Sequence, residues 1–157
     1  MVAGSGGGHP RNVLAAATGV AVFNGGVGGD TSTEIAARML ADSRFRHAPD
    51  AVLIWAGQNN HTATETIVAD VAAMTAQIDQ GRAVVLGVLR IEDVSEVNAQ
   101  LAATYGDAFF DVKTAIQAVT GQTNYEDYRD DAVHLNETGN DWLGVWLADR
   151  LRTLGLV

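Results

Sequence analysis

Ala51-Val52-Leu53-Ile54-Trp55-Ala56 carries no polar side chain at any position. A strand with one wet face alternates apolar and polar residues. A run that is apolar throughout fits a strand buried on both faces, as in the middle of a parallel sheet. Parallel strands need long crossovers, usually helices, and the chain supplies them. Val20-Ala21-Val22-Phe23 reads as an early buried strand, Ala83-Val84-Val85-Leu86-Gly87-Val88-Leu89 as another, and Ala108-Phe109-Phe110-Asp111-Val112 as a short last one.

Helical patterns lie between them. Residues 12–18 are Ala-rich, with Pro10 suited to the first turn and Gly19 at the end. Thr31 or Ser32 can cap the next helix, with Glu34 in its first turn, and that helix runs to about Leu40. Residues 64–80 place Ile67, Val68, Val71, Met74 and Ile78 at helical spacing, and residues 94–105 do the same with Val94, Val97, Leu101 and Tyr105. A helical turn is expected at 113–119 and a polar loop at 120–131. A final helix at 138–154 turns Trp142, Leu143, Trp146, Leu147 and Leu151 inward. The glycine-rich lead-in, Met1 to His9, cannot hold regular structure, and residues 48–50 read as a turn. Strand and helix alternate without a linker or repeat. The expectation is α/β: one domain over residues 1–157, with a parallel sheet covered on both faces.

Charge and composition exclude several functions. A formal net charge of −9 argues against nucleic acid or an anionic membrane as the main partner. Without cysteine there is no disulfide scaffold, thiol nucleophile or Cys-based zinc site. No apolar run approaches transmembrane length. No signal peptide is visible at Met1, which leaves the compartment open. No His/Asp/Glu grouping has metal-ligand spacing, and no cofactor is called for.

Three stretches carry chemistry. Asp131-Ala132-Val133-His134 precedes the last helix. There a carboxylate can accept from one imidazole nitrogen, fix the tautomer and leave the other nitrogen as a base. Gly25-Gly26-Val27-Gly28-Gly29-Asp30-Thr31-Ser32 follows a strand and opens a helix, so its backbone N–H groups can approach an anion. That anion could be a phosphate or a developing oxyanion, or the loop could be a bare turn. A P-loop would need a Lys and then Ser or Thr at its end, and a dinucleotide fold a six-residue fingerprint. Neither is present. Gly57-Gln58-Asn59-Asn60 ends the clearest strand, where open α/β sheets bind ligands. Its Asn59 amide is a neutral donor for a developing alkoxide, and Asn60 is expected to cap the helix that follows.

Taken in order, Asn24 to Ser32, Gly57 to Asn60 and Asp131-Ala132-Val133-His134-Leu135-Asn136 resemble the second, third and fifth sequence blocks of the SGNH hydrolases, the GDSL-type lipases and esterases. The resemblance covers nearly the whole chain. It implies a flavodoxin-like three-layer α/β/α sandwich and ester hydrolysis through an acyl-enzyme. Carried over residue by residue, it makes Gly29 a backbone oxyanion donor, Asn59 the side-chain oxyanion donor, His134 the general base and Asp131 its partner. Asn60 stands where the family has Asp, which spares the catalytic donor. By family analogy the substrate is a short-chain or acetyl ester of a small molecule or carbohydrate.

The first block departs from the family. No Gly-Asp-Ser tripeptide exists in the chain, and nothing before Pro10 could be a buried strand. The expectation is that the first strand and its nucleophilic Ser lie upstream of Met1. The strands at 20–23 and 51–56 would then face a gap roughly 9 to 10 Å wide, two strand spacings, and the isolated chain would be inert or nearly so. Ser5 is the other candidate nucleophile, although a mobile glycine-rich stretch holds it poorly. Two other functions compete: a non-catalytic relative or fragment of the same fold, and a flavodoxin-like domain binding phosphate or a nucleotide at the glycine loop. His9 and His47 read as surface residues, and His61 as a helix-start or cleft-rim residue. Asp130 is second to Asp131 as the partner of His134, and Asp111 reads as a cap. Trp55, Trp142 and Trp146 read as core.

Overall fold

The computed structural model describes residues 9–42, 51–79 and 81–157. Three parallel strands, β1 (Val52–Ile54), β2 (Ala83–Leu86) and β3 (Phe109–Phe110), pair in the order β1-β2-β3. Among the described residues six α-helices surround them: α1 (Pro10–Thr18), α2 (Ser32–Ala41), α3 (Thr64–Thr75), α4 (Ser95–Tyr105), α5 (Val112–Thr120) and α6 (Glu137–Thr153).

The strand run reads as a two-residue period in the core. Val52 and Ile54 face one hydrophobic cluster with Ala36, Ile67, Val71 and Leu101. Trp55, Val84 and Leu86 face the other, with Leu14, Ile116, Leu143 and Leu147. Helices α2, α3 and α4 therefore cover one face and α1, α5 and α6 the opposite one, the expected three-layer α/β arrangement.

Local sequence explains most helix ends. Thr31 caps α2 in a full capping box with Glu34. Asp111 accepts from the Thr114 N–H at the start of α5 (3.0 Å), so its role is the cap expected of it. Asn136 does the same for α6 through the Gly139 N–H (2.9 Å). Several boundaries differ from expectation. The strands are shorter than the apolar runs at 51–56, 83–89 and 108–112, because only part of each run meets a neighbour. Helix α3 stops at Thr75 rather than near 80, and the turn expected at 113–119 is a full nine-residue helix.

The larger difference is at residues 20–23, which form no strand. A strand exists by pairing. Here the Val20 N–H bonds to Thr18 Oγ1 instead (3.2 Å), and the β1 edge away from β2 pairs with no described residue. The sheet among the described residues thus has three strands, with β1 at one edge. The expected turn at 48–50, His47 and Ser5 lie outside the described residues.

The loop at 120–131, read as polar, anchors itself in the core. Tyr125 is 2% exposed although its neighbours are polar, and it holds a left-handed φ of 42° that only burial of its ring justifies. Burial also pushes its phenol up to about 12.

Candidate active site

The site is built from three loops: the glycine loop before α2, the turn after β1 and the loop between α5 and α6. The loop before α6 is held from several sides. The Asp130 N–H donates to His134 O (2.9 Å), the Asn136 N–H to Tyr128 O (3.0 Å), and the Ile91 N–H, from the loop after β2, to Ala132 O (3.4 Å). Arg129 and Leu135 form an antiparallel bridge. Gly139 is needed for this packing: a Cβ there would lie 2.1 Å from Tyr128 O.

Within that frame the Asp131 carboxylate accepts three bonds. Oδ1 takes the backbone N–H groups of Val133 (2.7 Å) and His134 (2.8 Å), and Oδ2 lies 2.8 Å from His134 Nδ1. The His134 ring, then the two backbone N–H groups, hold the Asp131 carboxyl well below the usual carboxylate range. An ionised Asp131 fixes the Nδ1–H tautomer and leaves Nε2 as the free base. Asp130 makes no such contact; only its backbone joins the loop.

The glycine loop is pinned by Arg38 of α2. Its Nε donates to Gly25 O (3.1 Å) and its Nη1 pairs with the Asp30 carboxylate. Gly29 turns the chain with φ +85°, a conformation costly for other residues. The Asn59 amide closes the gap between loops, with Nδ2 donating to Asp30 O (2.8 Å). That bond fixes the amide orientation and uses one of its two N–H groups. Gly29, Asn59 and His134 line one cavity of about 70 Å³, together with Val27, Gln58 and Trp55. Gln58 Nε2, also at this cavity, is buried without a partner.

The structure reassigns Asn60. Its side chain does not cap α3, whose N-cap Ala63 offers no side-chain bond. It reaches α2 instead, accepting from the Ser32 N–H (3.1 Å) and donating to Ser32 Oγ (2.9 Å), which in turn donates to Asp70 (2.6 Å). His9 is half-buried rather than a surface residue. Trp142 and Trp146 stack at 5.6 Å and are half-buried against the core. Two supporting groups escaped sequence reasoning: Arg38, and Arg90, which donates to Gln58 O (2.8 Å) while Glu92 grips it from two sides (both 2.9 Å). No spacing signals either one: Arg38 reaches back to the loop before its own helix, and Arg90 to a loop 32 residues away. Arg90 in turn lowers the Glu92 carboxyl to about 2.

Residues 2–142 match the family model of the GDSL-like lipases and acylhydrolases, and the chain belongs to that family. It is therefore a hydrolase of the lipase and esterase type at the family level. The fold is similar to that of a protein of the G-D-S-L family from Desulfitobacterium hafniense, with a TM-score of 0.73 and 17% identity over 91% of this chain and 88% of that one. No curated protein matches the sequence. No helix among the described residues is long and apolar enough to cross a membrane.

Proposed function

We propose that the chain carries the proton-transfer and oxyanion-binding part of a serine ester hydrolase acting on short-chain or acetyl esters. The observation that carries this reading is the convergence of Gly29, Asn59 and His134 on one cavity, with Asp131 bonded to the far side of the imidazole. A serine hydroxyl attacks the ester carbon while His134 Nε2 takes its proton. The carbonyl oxygen becomes an oxyanion, met by the Gly29 N–H and the second Asn59 N–H. Collapse expels the alcohol, protonated by His134, and leaves an acyl-enzyme. Water, deprotonated by the same nitrogen, releases the acid.

No hydroxyl or thiol among the described residues lines that cavity. The nucleophile has to come from elsewhere, and this same fact favours the second reading, a non-catalytic member of the family. Two measurements separate them. A fluorophosphonate probe followed by mass spectrometry identifies any activated serine; absence of both adduct and p-nitrophenyl acetate turnover supports the non-catalytic reading. In an active preparation, Asn59→Ala should lower kcat about a hundredfold with little change in KM. An unchanged kcat removes Asn59 from the oxyanion hole.

A further inference from the structure

Gly57 turns the chain after β1 with φ +104°, and a Cβ there would lie 3.0 Å from both Ile67 and Val88. The turn that follows, Gln58 to Asn60, is thus set hard against the core. Its first side chain is not satisfied. Gln58 Nε2 is buried, and no described group accepts from it. A buried donor is normally paired, and leaving it unpaired works against the fold. Its place is the cavity it shares with Gly29, Asn59 and His134.

Hydrogen bonds order these groups across the cavity. Asn59 Nδ2 reaches the glycine loop, donating to Asp30 O (2.8 Å). Gln58 is tied the other way. Its backbone carbonyl accepts from Arg90 Nη1 (2.8 Å), and the next residue, Ile91, donates its N–H to Ala132 O (3.4 Å) in the His134 loop. Consecutive residues thus hold the Gln58 turn and the His134 loop side by side. In the hydrolase reading the ester carbonyl oxygen faces Gly29 and Asn59, while His134 protonates the departing alcohol. The Gln58 amide therefore falls on the alcohol side. It is a neutral donor, and no lysine or arginine among the described residues lines the cavity, so an uncharged oxygen fits it better than an anion. The cavity is about 70 Å³, room for a few non-hydrogen atoms, so that oxygen lies close to the ester.

We propose that Gln58 is a specificity-determining residue whose Nε2–H binds an uncharged oxygen of the substrate alcohol, on the carbon next to the one bearing the ester. The preferred substrates are esters of vicinal diols and polyols rather than of simple alkanols. The inference rests on the hydrolase reading above for where the alcohol lies, and deepens it by naming that alcohol. A substrate without this oxygen buries the Gln58 N–H unpaired, and that loss is what discriminates.

The test compares 2-hydroxyethyl acetate with propyl acetate, which carry a hydroxyl and a methyl at the same place. In an active preparation of the whole chain, kcat/KM divided by each ester's rate with hydroxide should favour the hydroxyl ester about tenfold or more. Gln58→Leu, similar in size but without the donor, should bring that ratio to about one. A second measurement needs no turnover. N-(2-hydroxyethyl)acetamide, which resists hydrolysis, should shift the Gln58 side-chain N–H resonances saturably, and N-propylacetamide should not. A saturable shift without ester turnover refutes the hydrolase reading and leaves the Gln58 contact standing. Three results would each overturn the proposal: a ratio near one in the parent chain, a preference that survives Gln58→Leu, and equal effects, or none, of the two amides on the Gln58 resonances.

Discussion

The two ends of the sheet differ in how they are finished. Beyond β3, the segment from Tyr125 to Asn140 is closed on itself: Asn136 and Asn140 side chains satisfy backbone groups, Tyr125 is buried, and Asp131 spends its carboxylate on three donors. Beside β1, the residues expected to be a strand are not one, Val27 is 55% exposed, and cavities flank the edge on both faces. The chemistry of the candidate site spans this divide. His134 and Asp131 stand on the finished side. Asn59 and Gly29 stand beside β1 and are held by fewer bonds, Asn59 through Asp30 O and the glycine loop through Arg38. Preorganisation is thus distributed unequally, and the oxyanion donors rest on the weaker support.

The contrast can be broken from the finished side. Leu143→Ala removes a fully buried side chain of α6 and should cost about 2 to 5 kcal/mol. In a thermal melt that is a Tm drop of about 5 to 15 °C. Gly139→Ala drives a methyl into the Tyr128 carbonyl and should cost about 1 to 3 kcal/mol, read as a lower urea midpoint. Broadening of the His134 resonances should accompany it.

Acid gives a smaller, graded effect. Glu92 is lowered from 4.5 to about 2 by its bond to Arg90, and Asp131 is lowered further in the same direction. A depressed carboxyl stabilises the fold fully above its unfolded value. That contribution fades as pH falls from about 4.5 toward 2, because the unfolded state then binds the proton more readily. Urea midpoints measured down this range should therefore fall. Because Glu92 grips the arginine that holds Gln58 O, Glu92→Gln should flatten the fall. The least effect is expected on the open side: Val27→Ser should change stability by no more than about 0.5 kcal/mol. A larger loss would mean that this wall is already packed.

Much of the site was legible in the chain itself. The Asp131–His134 spacing suffices because the carboxylate can reach both the imidazole and the intervening backbone within one turn, a local event. The capping box at Thr31 and the Asp111 cap were legible for the same reason. Asn60 was not: its partner Ser32 opens a helix far away in sequence and itself donates to Asp70 on another helix. Arg38 and Arg90 escaped likewise, since each also holds a backbone carbonyl, Gly25 O and Gln58 O, and every residue has one.

What the sequence alone determined is local periodicity and local hydrogen bonding: α/β architecture, two-faced burial of Val52 to Ile54, helices with their caps, and the acid–histidine pair. What only the tertiary structure decided is whether an apolar run becomes a strand. Residues 20–23 and residues 52–54 are alike in composition. The second is a strand because β2 meets its N–H and C=O groups, while no described residue meets those of Ala21 or Val22. Apolar character drives a segment inward, but a strand is completed by its neighbour, and no single stretch of sequence carries that neighbour with it.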